Sequence, residues 1–333
     1  MFRVALKQKW AVLIIVATTA AAGSSDNVPA DPAFVAAHFR SNNLVIFPFK
    51  GSPIEIEPPN GLTVNFIALG SSADGEAVYG QSSYPDPWAG IIKIEFNRTR
   101  ISIVPGSIGL GNIVSLIESP QSGKIFVSAR RMKDGVMECG DFEIDPKTGT
   151  LRPLRIGAYP DCGGPISPDG KHELNVAGDQ LGLRDLASGV LEVVGKGFRA
   201  AAWSPDGRWI AAVMGVHGSG RGLLLIDSND TSKRKKLGSG DGQPVWSPDS
   251  KWLLTTKSQF SCAWTLYGQS LQAFNIGTGR GTVLSSSHCT VLGSTPVWVA
   301  RGLAGHQKSR QNSEQEKSGE YTEPKADSSL RSE

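Results

Sequence analysis

A Pro-Asp-Gly turn set between two apolar runs restricts this chain more than any other feature, because it recurs. Trp203-Ser204-Pro205-Asp206-Gly207-Arg208-Trp209 leads directly into Ile210-Ala211-Ala212-Val213. Proline presets φ for a turn, aspartate bonds its own downstream backbone, and glycine accepts positive φ, so two short strands should meet there in a hairpin. The pattern returns at Ile166-Ser167-Pro168-Asp169-Gly170-Lys171 and at Val245-Trp246-Ser247-Pro248-Asp249-Ser250-Lys251-Trp252. Degenerate copies stand at Gly70 to Tyr79 and at Glu118 to Val127. The steps between Gly75, Gly123, Gly170, Gly207 and Ser250 are 48, 47, 37 and 43 residues. A period of roughly 40–50 residues, with room for four strands in each, is the signature of propeller blades.

Several copies are followed by a second hairpin signal: Asp145-Pro146-Lys147-Thr148-Gly149, Asp185-Leu186-Ala187-Ser188-Gly189 and Asn275-Ile276-Gly277-Thr278-Gly279. Each blade therefore reads as strand, Pro-Asp-Gly turn, strand, loop, strand, glycine turn, strand. On these residues the chain resembles the TolB-type, WD40-like (PD40) repeat of bacterial envelope proteins, whose Trp-Ser-Pro-Asp-Gly-Lys/Arg hallmark and following apolar strand stand at Trp203 to Val213. The match is clear over about residues 160–285 and weaker over 60–160. Leu44 to Ile56 is a hairpin with no first half, while Ser294 to Val299 copies Gln243 to Ser247 and lacks a second half. The expected fold is all-β: a six-bladed propeller of four-stranded antiparallel blades, closed by the amino- and carboxy-terminal segments, with no free sheet edge.

Residues 1–22 carry Arg3, Lys7 and Lys9, an apolar run from Ala11 to Val16 and Ala20-Ala21-Ala22 before Gly23, which reads as a secretory signal peptide. Its apolar core is short for a membrane span, so the only membrane contact expected is through that segment, left uncleaved as an anchor. Residues 23–43 form an amino-terminal extension. Asp31 as N-cap, Pro32 at the first helical position and the short apolar face after it predict a two-turn helix there. The propeller is expected over 44–302. Residues 303–333, rich in Gln, Ser, Glu and Lys, cannot bury enough surface to offset their ordering entropy and read as a disordered polar tail. A net charge of +3 is too small to imply a nucleic-acid partner, and the one basic run, Lys233-Arg234-Lys235-Lys236, falls at a second-hairpin turn and reads as a solvated loop.

Four cysteines in an exported chain suggest two disulfides. Cys139 and Cys162 flank the second hairpin of one blade, and Cys262 and Cys289 flank the corresponding hairpin of another, so bridges Cys139–Cys162 and Cys262–Cys289 are expected. No Cys-x-x-Cys is present, and His38, His172, His217, His288 and His306 show no metal-ligand spacing, so neither metal nor cofactor is expected. His217 and His288, with Asp241, are the set from which a site at the channel mouth could be assembled. There is no Gly-x-Ser-x-Gly elbow, and the glycine-rich stretches at 109–112 and 218–222 lack phosphate-loop context. Asp169, Asp206 and Asp249 read as turn fixtures, and Trp203, Trp246 and Trp298, in one strand register, as blade packing.

The function expected is that of a periplasmic or secreted, monomeric, non-catalytic module binding a protein or peptide of the cell envelope. The alternative is an enzyme using the channel mouth, resembling a metal-dependent sugar lyase or a hydrolase. Contact is expected on the face carrying the loops between blades and after each blade's second strand: Gln81 to Ala89, Arg130 to Gly140, Gly215 to Gly222 and Ser258 to Gly268. Tyr84, Trp88, Arg131, His217, Arg221, Phe260, Trp264 and, in a further loop, His288 are the binding candidates, an aromatic and basic mix suited to hot spots.

Overall fold

The computed structural model describes residues 34–40, 43–47, 49, 54–56, 66–82, 90–95, 100–157, 163–215, 222–259, 268–285 and 296–300. Among these the regular elements are all strands. β1 (Phe34–Arg40), β2 (Asn43–Phe47) and β3 (Ile54–Ile56) are followed by β4 (Phe66–Ser71), β5 (Ala77–Ser82), β6 (Ile92–Glu95) and β7 (Arg100–Ile103). Next come β8 (Leu110–Glu118), β9 (Ile125–Lys133), β10 (Val136–Asp145) and β11 (Thr150–Gly157), then β12 (His172–Ala177), β13 (Gln180–Asp185) and β14 (Leu191–Lys196). The chain continues through β15 (Phe198–Trp203), β16 (Trp209–Met214), β17 (Gly222–Asp227) and β18 (Arg234–Gly238). It ends with β19 (Val245–Trp246), β20 (Trp252–Gln259), β21 (Gly268–Asn275), β22 (Gly281–Ser285) and β23 (Val297–Ala300).

These strands form five four-stranded antiparallel blades, not the six the repeat predicts. The remaining sheet, β12-β13-β14, has three strands. Where its innermost strand should lie, only the isolated bridge between Ile166 and Glu173 forms, which shortens that strand to a contact.

The two ends of the chain share one sheet in the order β23-β1-β2-β3. Phe34 to Ala37 pair with Ala300 to Val297, and Leu44 to Ile46 pair with Ile56 to Ile54. This corrects two expectations. Phe34 to Arg40 is a strand, not a helix, so the β structure begins ten residues before 44. The hairpin from Leu44 to Ile56 reaches Val297 and Trp298 only through β1, which lies between them. The cap and proline at 31–32 favour a helix locally, but pairing on both sides decides otherwise, as tertiary context commonly overrides propensity.

Each Ser-Pro-Asp-Gly turn is held by one repeated set of bonds. In the copy at 204–209, the Ser204 hydroxyl donates to Asp206 Oδ1 at 2.6 Å and accepts from the Trp209 N–H at 2.9 Å. Asp206 Oδ1 also accepts the Arg208 N–H. The copies at 167–172 and 247–252 repeat this geometry, and Ser72 and Asp74 reproduce it in the degenerate first copy. Gly207 has φ 73°, the left-handed conformation that glycine adopts without strain. Ser250 holds the same place at φ 58°, and its hydroxyl accepts the Asp206 N–H of the neighbouring turn at 3.0 Å, a bond glycine could not make.

The tryptophan register is an inter-blade ladder. Trp203 Nε1 donates to Pro165 O, Trp246 Nε1 to Ala202 O and Trp298 Nε1 to Val245 O, each reaching the innermost segment of the preceding sheet at 3.0–3.1 Å. Glu118 stands in the same place before Ser119 and inverts the polarity, since its Oε2 accepts from the Ala73 N–H and the Tyr79 hydroxyl of the preceding sheet. Burial and the Glu118 charge together push the Tyr79 hydroxyl far above its ordinary pKa, so it stays a donor. The apolar core likewise lies between successive sheets. Leu174, Leu181, Phe198, Trp203 and Ile226 form one such layer, and Leu223, Leu237, Trp246, Leu253 and Phe274 form another.

The basic run is also part of this seam. Arg234 opens β18 as a strand residue, not a loop, and its Nη2 donates to Val194 O at 2.5 Å, while Lys235 Nζ approaches Ile276 O at 3.4 Å. Two of its cations thus tether one outer strand to the sheets on either side.

Candidate functional site

Because neighbouring strands run antiparallel, the Ser-Pro-Asp-Gly turns and the second-hairpin turns gather at one end of the sheets. Connections after each second strand emerge at the other end, the mouth face. Of the predicted binding residues only Arg131 lies among the described residues. Tyr84, Trp88, His217, Arg221, Phe260, Trp264 and His288 lie outside them, as do Cys162, Cys262 and Cys289. Asp241 is described, with its backbone N–H bonded to Thr256 O.

Arg131 is engaged rather than offered. Its Nε and Nη2 both donate to Glu138 Oε2, and its guanidinium lies 5.2 Å over the Phe142 ring. That pairing pulls the half-buried Glu138 carboxyl below its usual pKa. The expected loop from Arg130 to Gly140 is instead the tip of the β9–β10 hairpin, whose strands have 9 and 10 residues. Only Asp134 and Gly135, at φ 50° and 77°, form the turn, the two-residue type that matches strand twist.

The hairpin carries what the sequence reading missed. Met132 pairs with Met137 across the two strands, so the two side chains stand on one face, and both are exposed. Val136 at the tip is 63% exposed. Ile108 is 73% exposed beside them, because Gly109 O accepts the Met132 N–H at 3.1 Å. The innermost strand of this sheet bulges between Gly111 and Ser115. Asn112 takes φ 46°, Ile113 turns inward with its N–H on Gln81 Oε1, and Val114 is left exposed. An Asp-Gly pair flanked by apolar residues was the available signal for this hairpin. The cluster itself depends on register, which the sequence does not show.

At the opposite, turn face a cavity of about 360 Å³ lies among three successive turns. Pro168, Leu183 and Trp203 give it an apolar floor, and Asp169, His172, Asp206 and Arg208 stand around it. Burial raises the Asp169 pKa, but the Ser167 hydroxyl and the Lys171 N–H outweigh it, so the net shift is downward and the carboxylate is ionised at neutral pH. His172 opens β12 with Nε2 4.0 Å from Asp185 Oδ2 and its ring 6.4 Å from that of Trp203. Among the described residues no group of three or more His, Cys, Asp or Glu is placed to hold a metal ion.

No family model matches the chain, and no curated protein matches it in sequence. Among solved structures, TolB from Acinetobacter baumannii superposes with a TM-score of 0.58 at 18% identity, over 80% of this chain and 66% of that one. This chain thus spans just under two thirds of that protein's length. A TolB-type protein from Agrobacterium tumefaciens aligns at 15% identity and a TM-score of 0.46, over 76% of this chain and 87% of that one. An oligogalacturonate lyase from Vibrio parahaemolyticus aligns at 11% identity and 0.48, over 79% and 83%. At these identities the likeness speaks to the fold alone, which is a TolB-like β-propeller of four-stranded antiparallel blades.

Proposed function

We propose that this chain is an exported, non-catalytic propeller that binds a protein or peptide of the cell envelope at its mouth face. The observation that carries the reading is the tip of the β9–β10 hairpin, where Met132 and Met137 are exposed side by side on one face, exposed Val136 and the Arg131–Glu138 pair stand on the other, and Ile108 is exposed on the adjoining connection. Exposed apolar side chains on a rigid hairpin that also carries charge suit a protein-binding surface. Methionine suits such a surface because its unbranched side chain adapts to the partner.

The same reading takes residues 1–22 as a secretory signal, places the mature chain in the periplasm or outside the cell as a monomer, and counts β12-β13-β14 with the Ile166 bridge as a sixth blade. It pairs Cys139 with Cys162 and Cys262 with Cys289. Cys139 is buried on β10 opposite Gly157, five residues before Cys162. The enzyme alternative would need His217 and His288 to converge, and both lie outside the described residues.

The test is quantitative capture from an envelope extract on immobilised full-length chain. Replacing both Met132 and Met137 by Asp should lower recovery of the specifically retained protein at least about tenfold, as hot-spot losses of ~1–2 kcal/mol per residue imply. Because both side chains are exposed, the melting temperature should hardly change. Val283→Asp, an exposed apolar residue on a different sheet, should leave recovery as it is. Equal recovery with the double variant and the native chain would refute the assignment of this corner.

A further inference from the structure

The cavity on the turn face lies at the other end of the sheets from the proposed partner surface and does not depend on it. From its lining we infer that it is a carbohydrate site taking a single neutral sugar ring, a hexose or an N-acetylhexosamine. Its volume of about 360 Å³ is at the lower end of the ~300–1,000 Å³ typical of small-molecule sites, which suits one ring better than a nucleotide or a lipid.

Its lining holds both donors and acceptors. Asp169 and Asp206 each spend Oδ1 on their own turn, accepting a serine hydroxyl and a backbone N–H; Asp169 Oδ2 lies 3.7 Å from Lys171 Nζ, and Asp206 Oδ2 is left for an incoming hydroxyl. Gln121 comes from the turn of a third sheet and uses Oε1 on the Ser119 hydroxyl, leaving its amide N–H groups as donors. Arg208 adds a planar donor fork steadied 5.3 Å over the Trp209 ring. Asn229, on the second-hairpin turn between β17 and β18, supplies an amide that both gives and takes.

Vicinal hydroxyls, each both donor and acceptor, are matched by such planar amide, carboxylate and guanidinium groups, and the C–H face of a sugar by an apolar floor like that of Leu183 and Trp203. The charge on the lining narrows the class. Lys171 pairs with Asp169 at 3.7 Å and Arg208 stands against Asp206, so the lining carries no excess charge with which to hold uronic acids, phosphates or sulfated sugars. Lysine or arginine side chains would find the carboxylates but leave the amides and the guanidinium unmatched.

Saturation-transfer NMR on the full-length chain tests this, with glucose, galactose, mannose and N-acetylglucosamine as probes and glucuronic acid and free arginine as comparisons. At least one neutral sugar should receive saturation, and glucuronic acid should not. Arg208→Met and Asn229→Ala change cavity groups that the Ser-Pro-Asp-Gly turns do not need, and each should weaken that sugar about tenfold, the order expected for a lost hydrogen bond to a ligand hydroxyl. Asp206→Asn retains the turn acceptor and should weaken it as well. Transfer to none of the neutral sugars, transfer unaffected by both Arg208→Met and Asn229→Ala, or transfer to arginine in their place would each overturn the proposal.

Discussion

Replacing Arg155 by Met should lower the unfolding free energy by about 3–5 kcal/mol, the cost of breaking a buried ion pair by removing one partner. Asp141 on β10 and Glu173 on β12 belong to adjacent sheets, and both are fully buried. Arg155 Nε lies 2.8 Å from Asp141 Oδ2 and 3.3 Å from Glu173 Oε2, so one guanidinium neutralises carboxylates from both sides of the seam. The Ser128 hydroxyl donates to Asp141 Oδ1 at 2.6 Å, and Arg184 Nε stands 3.4 Å from Glu173 Oε2. Without Arg155, the two buried carboxylates lose the guanidinium they share, while Arg184 still stands beside Glu173. Urea unfolding followed by tryptophan fluorescence measures the loss. The triple variant Asp141→Asn, Arg155→Met, Glu173→Gln should recover a good part of it, because no uncompensated charge then remains. A loss below about 1 kcal/mol for Arg155→Met would mean that water already reaches the seam.

The second large effect is expected at the other junction. Trp298 is fully buried on β23, donates Nε1 to Val245 O at 3.0 Å and stacks on Phe49 at 6.2 Å between ring centroids. Trp298→Ala removes a large core side chain and leaves a buried carbonyl without its donor, which should cost about 3–5 kcal/mol and lower the melting temperature by about 10 °C. Trp298→Phe keeps most of the packing and should cost only about 1 kcal/mol, the worth of the hydrogen bond. Near-equal melting temperatures for the two variants would show that the indole N–H, not the ring, holds this junction.

The parts of the fold legible in the sequence are those written in consecutive residues. Ser204 to Trp209 specifies its turn because the bonds of the Ser204 and Asp206 side chains that shape it are made within six residues, and the copies at 167 and 247 repeat the same chemistry. The register of Trp203, Trp246 and Trp298 was legible as packing because each precedes the same Ser-Pro-Asp motif. Glu118 was not, since a carboxylate does the work of an indole there only because Ala73 and Tyr79 present donors from another sheet. Phe34 to Arg40 failed for a related reason: its strand state depends on β23, more than 250 residues away. The exposed methionine pair was not legible because Met132 and Met137, five apart in sequence, become neighbours only through the Asp134–Gly135 turn. The turn-face cavity draws on turns from residue 121 to residue 229, and nothing local joins them.

A rigid mouth face and a stable turn-face cavity both require that the two ends of the chain meet in one sheet. Hydrogen–deuterium exchange on the full-length chain measures this directly. The account predicts that peptides covering Phe34 to Arg40 and Val297 to Ala300 exchange slowly, with protection approaching that of the core strand Trp209 to Met214. Exchange of Phe34 to Arg40 at the rate of an unstructured peptide, while Trp209 to Met214 stays protected, would contradict it.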